Sequence, residues 1–237
     1  MTPEALIDTD RWPLNDTALH EQLHSVFCAE NVVVLPGFIR HEYIDELVRE
    51  SEELMTVSYR SEVNGKVNVV AYDQFPAHSL LRALYEWDGL MNFVGKVLGE
   101  AKLFRYADEL GALNLSSMID GDDLGWHFDQ TDFVVSVALQ PSISGGEFKN
   151  AARIRSADND NEDIVRAVRN GERPDLVRVE PMTPGTLMVF NGRWSLHQVS
   201  PIVGDVTRHV ALLAYDTKPG TESNQELKFT RYGRMPA

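Results

Sequence analysis

Apolar positions follow two rhythms along the chain, and the change from one to the other falls near residue 100. Ahead of it, NVVVLPGF (31–38) is a β-branched run closed by Pro-Gly, which predicts a short strand, and IRHEYIDELVRESEELM (39–55) carries apolar residues at helical spacing. Residues 63–72 alternate about Asn64-Gly65 and predict a hairpin, while 79–98 is helical by period with Gly99 placed to cap it. The N-terminal part, about residues 1–100, is therefore expected to be mainly helical.

Beyond it the pattern is short and alternating. KLFRYA, GALNLSSM, GWHFD, DFVVSVALQ, GGEFKN, LVRVEP, GTLMVF, SLHQVS and RHVALLAY are strand-length runs, most of them bounded by Gly, Pro or Asp. Many short strands at regular spacing argue for a sandwich or barrel. Residues 159–170 break the pattern, with Ile164, Val165 and Val168 at helical spacing and Gly171 behind them, and predict a surface helix inserted between two strands. The expected fold class is α+β, a jelly-roll core over about 101–234 flanked by N-terminal helices. No linker or repeat divides the chain, so 1–237 is taken as one domain.

Composition narrows the function classes. Of 237 residues, 43% are hydrophobic and 24% charged, which suits a globular chain with a sizeable core. A formal charge of −14 repels polyanions, so nucleic acid is not an expected partner. Cys28 is the single cysteine, which rules out an intrachain disulfide and matches a reducing compartment; a cytoplasmic location is expected. The opening MTPEALIDTDRWPLND lacks a signal-peptide pattern and no apolar run has bilayer-spanning length, so no membrane partner is expected.

Candidate chemistry begins in GWHFDQTDF, where His127 and Asp129 stand two apart. On a strand both would project from one face, as neighbouring ligands require. About one His-x-Asp/Glu pair is expected by chance in a chain with this many histidines and acids, so the pair alone carries little weight. A third candidate, His197 in SLHQVS, follows the apolar run PGTLMVF in the same strand-rich half. Two imidazoles and a carboxylate leave three positions of an octahedral ion open, the facial triad of non-haem Fe(II) oxygenases rather than a closed zinc site. Arg208 follows eleven residues after His197. If 202–205 were a hairpin loop, Pro201 would face Val206, His197 would face Val210, and Arg208 would share a sheet face with His197 about 7 Å along the strand. A dicarboxylate could then bridge metal and guanidinium.

The run WHFD…GGEF…PGTLMVFNGRWSLHQVSPIVGDVTRHVALLAYDTKPG resembles the double-stranded β-helix (jelly roll, cupin-like) core of the Fe(II)- and 2-oxoglutarate-dependent dioxygenases over about residues 103–234, and VVVLPGF plus the following helix resembles the start of many members. NGRWSLHQVSP and AYDTKPG are similar to a bacterial group of hydroxylases and halogenases acting on free amino acids or other small metabolites. The resemblance implies His127, Asp129 and His197 as catalytic metal ligands, Arg208 on the distal carboxylate of 2-oxoglutarate, Fe(II) and 2-oxoglutarate as cofactors, and O2 as co-substrate. It implies oxidative decarboxylation to succinate and CO2 coupled to hydroxylation of an unactivated C–H bond in a small polar metabolite, an amino acid or amine-bearing compound. Related halogenases carry a small residue at the carboxylate position, so Asp129 favours hydroxylation. A cupin-like metal-dependent hydrolase or isomerase and a non-catalytic sensor stay open as alternatives, as does a homodimer.

Secondary candidates follow from position. Asn114 could donate its amide to 2-oxoglutarate or satisfy a neighbouring backbone group. Trp126, Phe128 and Trp194 could shield the site or simply pack the core. Arg193 could bind a substrate carboxylate or form a structural ion pair, and Glu109, Asp132 and Glu147 near the expected mouth could hold a substrate ammonium or remain solvated acids. His20, His24, His41 and His78 are assigned to surface or capping roles, and His209 to the face turned away from the site. Cys28 reads as a packed thiol, 120–123 as a solvated turn, and 157–175 as an insert placed to act as a lid.

Overall fold

The computed structural model describes residues 2–236, and among them fourteen strands and six α-helices form. The strands are β1 (Val32–Leu35), β2 (Tyr59–Ser61), β3 (Val67–Val70), β4 (Phe104–Arg105), β5 (Leu113–Met118), β6 (Leu124–His127), β7 (Phe133–Gln140), β8 (Ser144–Gly145), β9 (Phe148–Ala151), β10 (Arg178–Glu180), β11 (Leu187–Phe190), β12 (Leu196–Val199), β13 (Ile202–Val203) and β14 (Arg208–Asp216). The helices are α1 (Thr17–Glu30), α2 (Ile44–Leu54), α3 (Leu80–Glu86), α4 (Asp88–Leu98), α5 (Glu162–Arg169) and α6 (Gln225–Tyr232). Each of the nine expected strand runs overlaps a strand. None of these helices is long and apolar enough to cross a membrane.

A large sheet runs β1-β11-β7-β14-β5-β3-β2, with β4 also paired to β14; a smaller one runs β10-β9-β12-β6, and β13 pairs with β8 alone. β14 lies between β7 and β5, antiparallel to both, and its nine residues are buried almost throughout. The period of two sends Arg208, Val210, Leu212 and Ala214 toward the smaller sheet, while Ala211, Leu213 and Tyr215 join the core beneath the helices. That core takes Leu23 and Phe27 from α1, Leu47 from α2, Leu84 from α3 and Phe93 and Val97 from α4. A separate cluster lies on the outer face of the small sheet, where Ile164, Val165 and Val168 of the insert cover Ala151, Leu196, Trp126 and Phe128. The large sheet is thus held rigid by helices on one face, which leaves its other face free to line a site.

Four features differ from the sequence reading. The helix expected over 79–98 is two helices, because Trp87 is extended (ψ 122°) and its ring folds over Gly89, where a Cβ would lie 2.1 Å from it. Gly99, in the left-handed region at φ 73°, caps the second as expected. The hairpin about Asn64-Gly65 pairs β2 with β3, so its strands sit further out than the alternation of 63–72 suggested. α1, started by Asp16 accepting from the Ala18 and Leu19 amides at 2.8 and 3.2 Å, lies in the part expected to be mainly helical but was not delimited there, and α6 was not expected. Residues 202–205 do not join two paired strands: β12 belongs to the small sheet and β14 to the large one, and Val210 pairs with Ser116 and Ala138 instead of His197. The intervening Ile202–Val203 pairs with β8 and carries the chain across the sandwich.

His209 points away from the cavity but is not at the surface. It is 1% exposed, with Nδ1 2.7 Å from Ser117 Oγ and no partner for Nε2 among the described residues, and burial pushes its pKa down to about 4. An unfolded chain titrates this ring near pH ~6.5, so below that pH the unfolded state takes a proton that the native state refuses. Stability should therefore be full above pH ~6.5 and fall by roughly 3 kcal/mol as pH drops toward 4 from this group alone. Urea midpoints measured between those limits should show a smaller acid loss in His209→Gln than in the parent; equal slopes would assign the acid sensitivity elsewhere.

Candidate metal centre

His127 is the last residue of β6, and His197, in β12, is its direct cross-strand partner. Antiparallel pairing thereby sets the two rings side by side, 4.2 Å between centroids. Asp129 lies beyond the end of β6, so the i, i+2 strand geometry expected for it does not apply. Its amide donates to the Gly192 carbonyl (3.1 Å), which turns the carboxylate back toward the histidines. A Cβ at position 192 would lie 1.8 Å from Asp129 Oδ2, so a side chain there would displace the carboxylate. One ligand atom from each of the three residues lies within 4.8 Å of the other two, and His197 Nε2 is 3.6 Å from Asp129 Oδ1.

The outer nitrogens of both rings are held. His127 Nδ1 is 2.7 Å from the Gly125 carbonyl and His197 Nδ1 is 3.0 Å from the Ser195 carbonyl, contacts that present Nε2 inward, as ligating histidines require. Ser195 is itself fixed by the Asn31 amide, which donates to its Oγ at 2.9 Å. Phe148 and Phe190 wall His197 at 5.5 and 5.1 Å between ring centroids. Burial, reinforced by the charge of His197, pushes the His127 pKa down to about 4, which keeps this ring neutral. Burial works against ionisation of both Asp129 and His197, yet their mutual attraction outweighs it, lowering the acid and raising the base. Two inward imidazoles and one carboxylate fit a divalent transition ion with open positions.

Arg208 faces this cluster from the other sheet. The residues share one cavity of about 340 Å³, so guanidinium and imidazole meet across the sandwich and not along one hairpin, correcting the expected placement. Arg208 is 5% exposed, its hydrogen-bond contact is Met118 Sδ at 3.9 Å, and among the described residues no carboxylate pairs with it. Burial pushes its pKa down to about 10. A buried, unpaired guanidinium is costly and marks where an anion belongs. Asn114 lines the same cavity, where its Oδ1 accepts from Arg231 at 3.4 Å. Arg231, on α6, escaped the sequence reading.

The remaining candidates disperse. Arg193 and Asp132 pair with each other (2.5 Å), which is the ion-pair alternative for Arg193; Asp132, which also accepts from Thr217 at 3.2 Å, is thereby neither the solvated acid nor the free ammonium partner expected of it. Glu109 is exposed and outside the cavity lining, and Glu147 is exposed and pairs with Lys149 at 3.3 Å. Trp126 and Phe128 pack beneath the insert, Phe128 also reaching the cavity and lying 3.6 Å from the Arg155 guanidinium; Trp194 lies 5.8 Å from that guanidinium and does not line the cavity. His24 contacts the Val97 carbonyl at 3.1 Å and also lies 3.4 Å from the sulfur of Cys28, which is exposed and not packed as expected.

The model of a family described as halogenase D matches residues 15–231. No curated protein matches the sequence. Solved structures share the fold. AviO1 from Streptomyces viridochromogenes Tue57 is 16% identical with a TM-score of 0.65, covering 86% of this chain and 97% of its own. The carbocyclase SnoK from nogalamycin biosynthesis, described as non-haem and α-ketoglutarate-dependent, is 14% identical at a TM-score of 0.65, covering 92% and 93%. A 2OG-Fe(II) oxygenase family oxidoreductase from Burkholderia pseudomallei is 16% identical at 0.62, covering 85% and 92%.

Proposed function

The chain belongs to the halogenase D family, and from that membership together with its 2OG-Fe(II) oxygenase fold we propose that it is an Fe(II)- and 2-oxoglutarate-dependent oxygenase hydroxylating an unactivated C–H bond of a small metabolite. The observation that carries the reading is the pairing, across one cavity, of a His127, Asp129, His197 cluster with the unpartnered Arg208. The three clustered side chains would hold the iron, and Arg208 would receive the distal carboxylate of 2-oxoglutarate with Asn114 alongside. When bound, iron and 2-oxoglutarate would supply oxygen activation coupled to decarboxylation to succinate and CO2.

The chain's own contribution is position and dryness. Phe148, Phe190, Val199 and Val210 line the cavity and keep water from the reacting atoms, while the Gly125 and Ser195 carbonyls hold the ring orientations. Asp129 supports hydroxylation over halogenation, because halogen transfer uses the coordination position that this carboxylate would occupy. Arg208 supports the oxygenase over a cupin-like hydrolase, which has no need of a diacid.

Incubation with Fe(II), ascorbate, air and 2-oxoglutarate, over a panel of amino acids and short organic acids in chloride buffer, should give metal-dependent succinate and a product gaining oxygen. A chlorinated product would reverse the hydroxylase assignment. Tight zinc binding with no consumption of 2-oxoglutarate would replace the oxygenase by the hydrolase.

A further inference from the structure

The cavity and the vestibule that meet at His127 and Asp129 reverse the electrostatics of the molecule. In a chain of net charge −14, their walls carry, among the described residues, five arginines, Arg208, Arg231, Arg155, Arg169 and Arg193, and a single carboxylate, Asp129, which belongs to the metal cluster. Such a cleft concentrates anions and excludes cations. A substrate ammonium has no free acid to meet there, since Asp132 is paired with Arg193 and both Glu109 and Glu147 lie outside these walls.

The arginines are not equivalent. Arg193 is neutralised by Asp132. Arg155 is spread over Phe128 and donates to the Arg193 carbonyl at 2.7 Å, and Arg169 reaches the Trp126 carbonyl at 3.4 Å, so both sit in the outer vestibule. Two guanidinium groups remain in the inner cavity, Arg208 and Arg231, neither paired with a carboxylate among the described residues. Arg231 lines the same cavity as His127 and Asp129, which sets its guanidinium in the compartment of the reacting centre.

A charge count then separates their roles, given the proposed oxygenase on which this inference rests. A divalent ion, the Asp129 carboxylate, a dianionic 2-oxoglutarate and Arg208 sum to zero, and Arg231 leaves one positive charge over. We propose that the substrate is a small organic acid whose single carboxylate is held in the cavity by Arg231, with its carbon chain lying along Val63, Leu124 and Leu227 toward the metal. A monocarboxylate matches the one surplus charge, whereas a phosphate dianion overshoots it. α6 is thus the substrate-reading element: Arg231 and Leu227 line the cavity, and buried Tyr232 anchors the helix end against the inter-sheet core.

The test uses the intact protein loaded with Mn(II) and N-oxalylglycine, titrated calorimetrically with hexanoate, hexanamide, hexylamine and norleucine. Hexanoate should bind at least about tenfold more tightly than the other three. Arg231→Gln should erase that preference while N-oxalylglycine affinity stays within about twofold, and Arg231→Lys should restore part of it. Hexylamine or norleucine binding as tightly as hexanoate, or unchanged hexanoate affinity in Arg231→Gln, overturns the inference. Metal-dependent N-oxalylglycine binding in the same titration checks the oxygenase reading separately. Its absence removes that reading and the inference with it, whereas its presence without a carboxylate preference removes the inference alone.

Discussion

Alanine at position 197 is expected to remove metal binding and turnover together. His197 is 4% exposed, walled by Phe148 and Phe190, and held with its inner nitrogen 3.6 Å from Asp129, so no neighbouring donor can move into its place. Changing groups that merely orient a metal ligand typically costs 10- to 100-fold in affinity, so losing one of three ligands should cost more than about 100-fold. His127→Ala should do the same, since its neutral ring would supply the second nitrogen. Mn(II) titration followed by succinate formation with Fe(II) checks both. His78→Ala, an exposed position far from the cluster in sequence, serves as the control and should leave both readouts unaltered. Stoichiometric tight binding retained in either ligand variant would show that these side chains do not form the metal site.

What could and could not be read from the sequence follows from the range of each signal. Alternation reports which residues share a face, and RHVALLAY gave its strand and the opposed sides of Arg208 and His209 on that basis. It does not report which strand lies alongside. Eleven residues separate His197 from Arg208, a length that suits a tight hairpin or a step between sheets, and β13 pairing with β8 decides for the step. The convergence survived the wrong route because both sheets line one cavity. Asp129 was found through a strand spacing that ends at His127; its placement depends on Gly192, distant in sequence, where the absence of a side chain leaves room for the carboxylate. Arg193 and Asp132 are 61 residues apart and carry no local mark of pairing. α6 buries only Lys228 and Tyr232, too little for a helical period to stand out, and Arg231 stayed hidden with it.

Methionine in place of Arg208 should produce a signed pair of effects that a merely structural arginine would not. In the metal-loaded protein without 2-oxoglutarate, Arg208 is a buried cation with no anionic partner among the described residues, an arrangement that opposes folding. A side chain of similar length without the charge relieves that cost, so the thermal midpoint of Arg208→Met should equal or exceed that of the parent. Adding 2-oxoglutarate should then raise the parent's midpoint and leave the variant's nearly unmoved, because ligand stabilisation scales with occupancy. Removing one member of a buried charge pair costs about 2–5 kcal/mol, so the 2-oxoglutarate concentration for half-maximal turnover should rise from roughly 30-fold to several thousandfold. Arg208→Lys should recover only part of this, since an ammonium cannot offer the planar two-pronged donor that a carboxylate accepts. Mn(II) affinity in the absence of 2-oxoglutarate should stay close to the parent's in both variants, because Arg208 comes from the sheet opposite the cluster and touches none of its ligands. An unchanged 2-oxoglutarate requirement in Arg208→Met would move the cofactor's distal carboxylate to the other guanidinium of the cavity, Arg231, and exchange the roles assigned to the two.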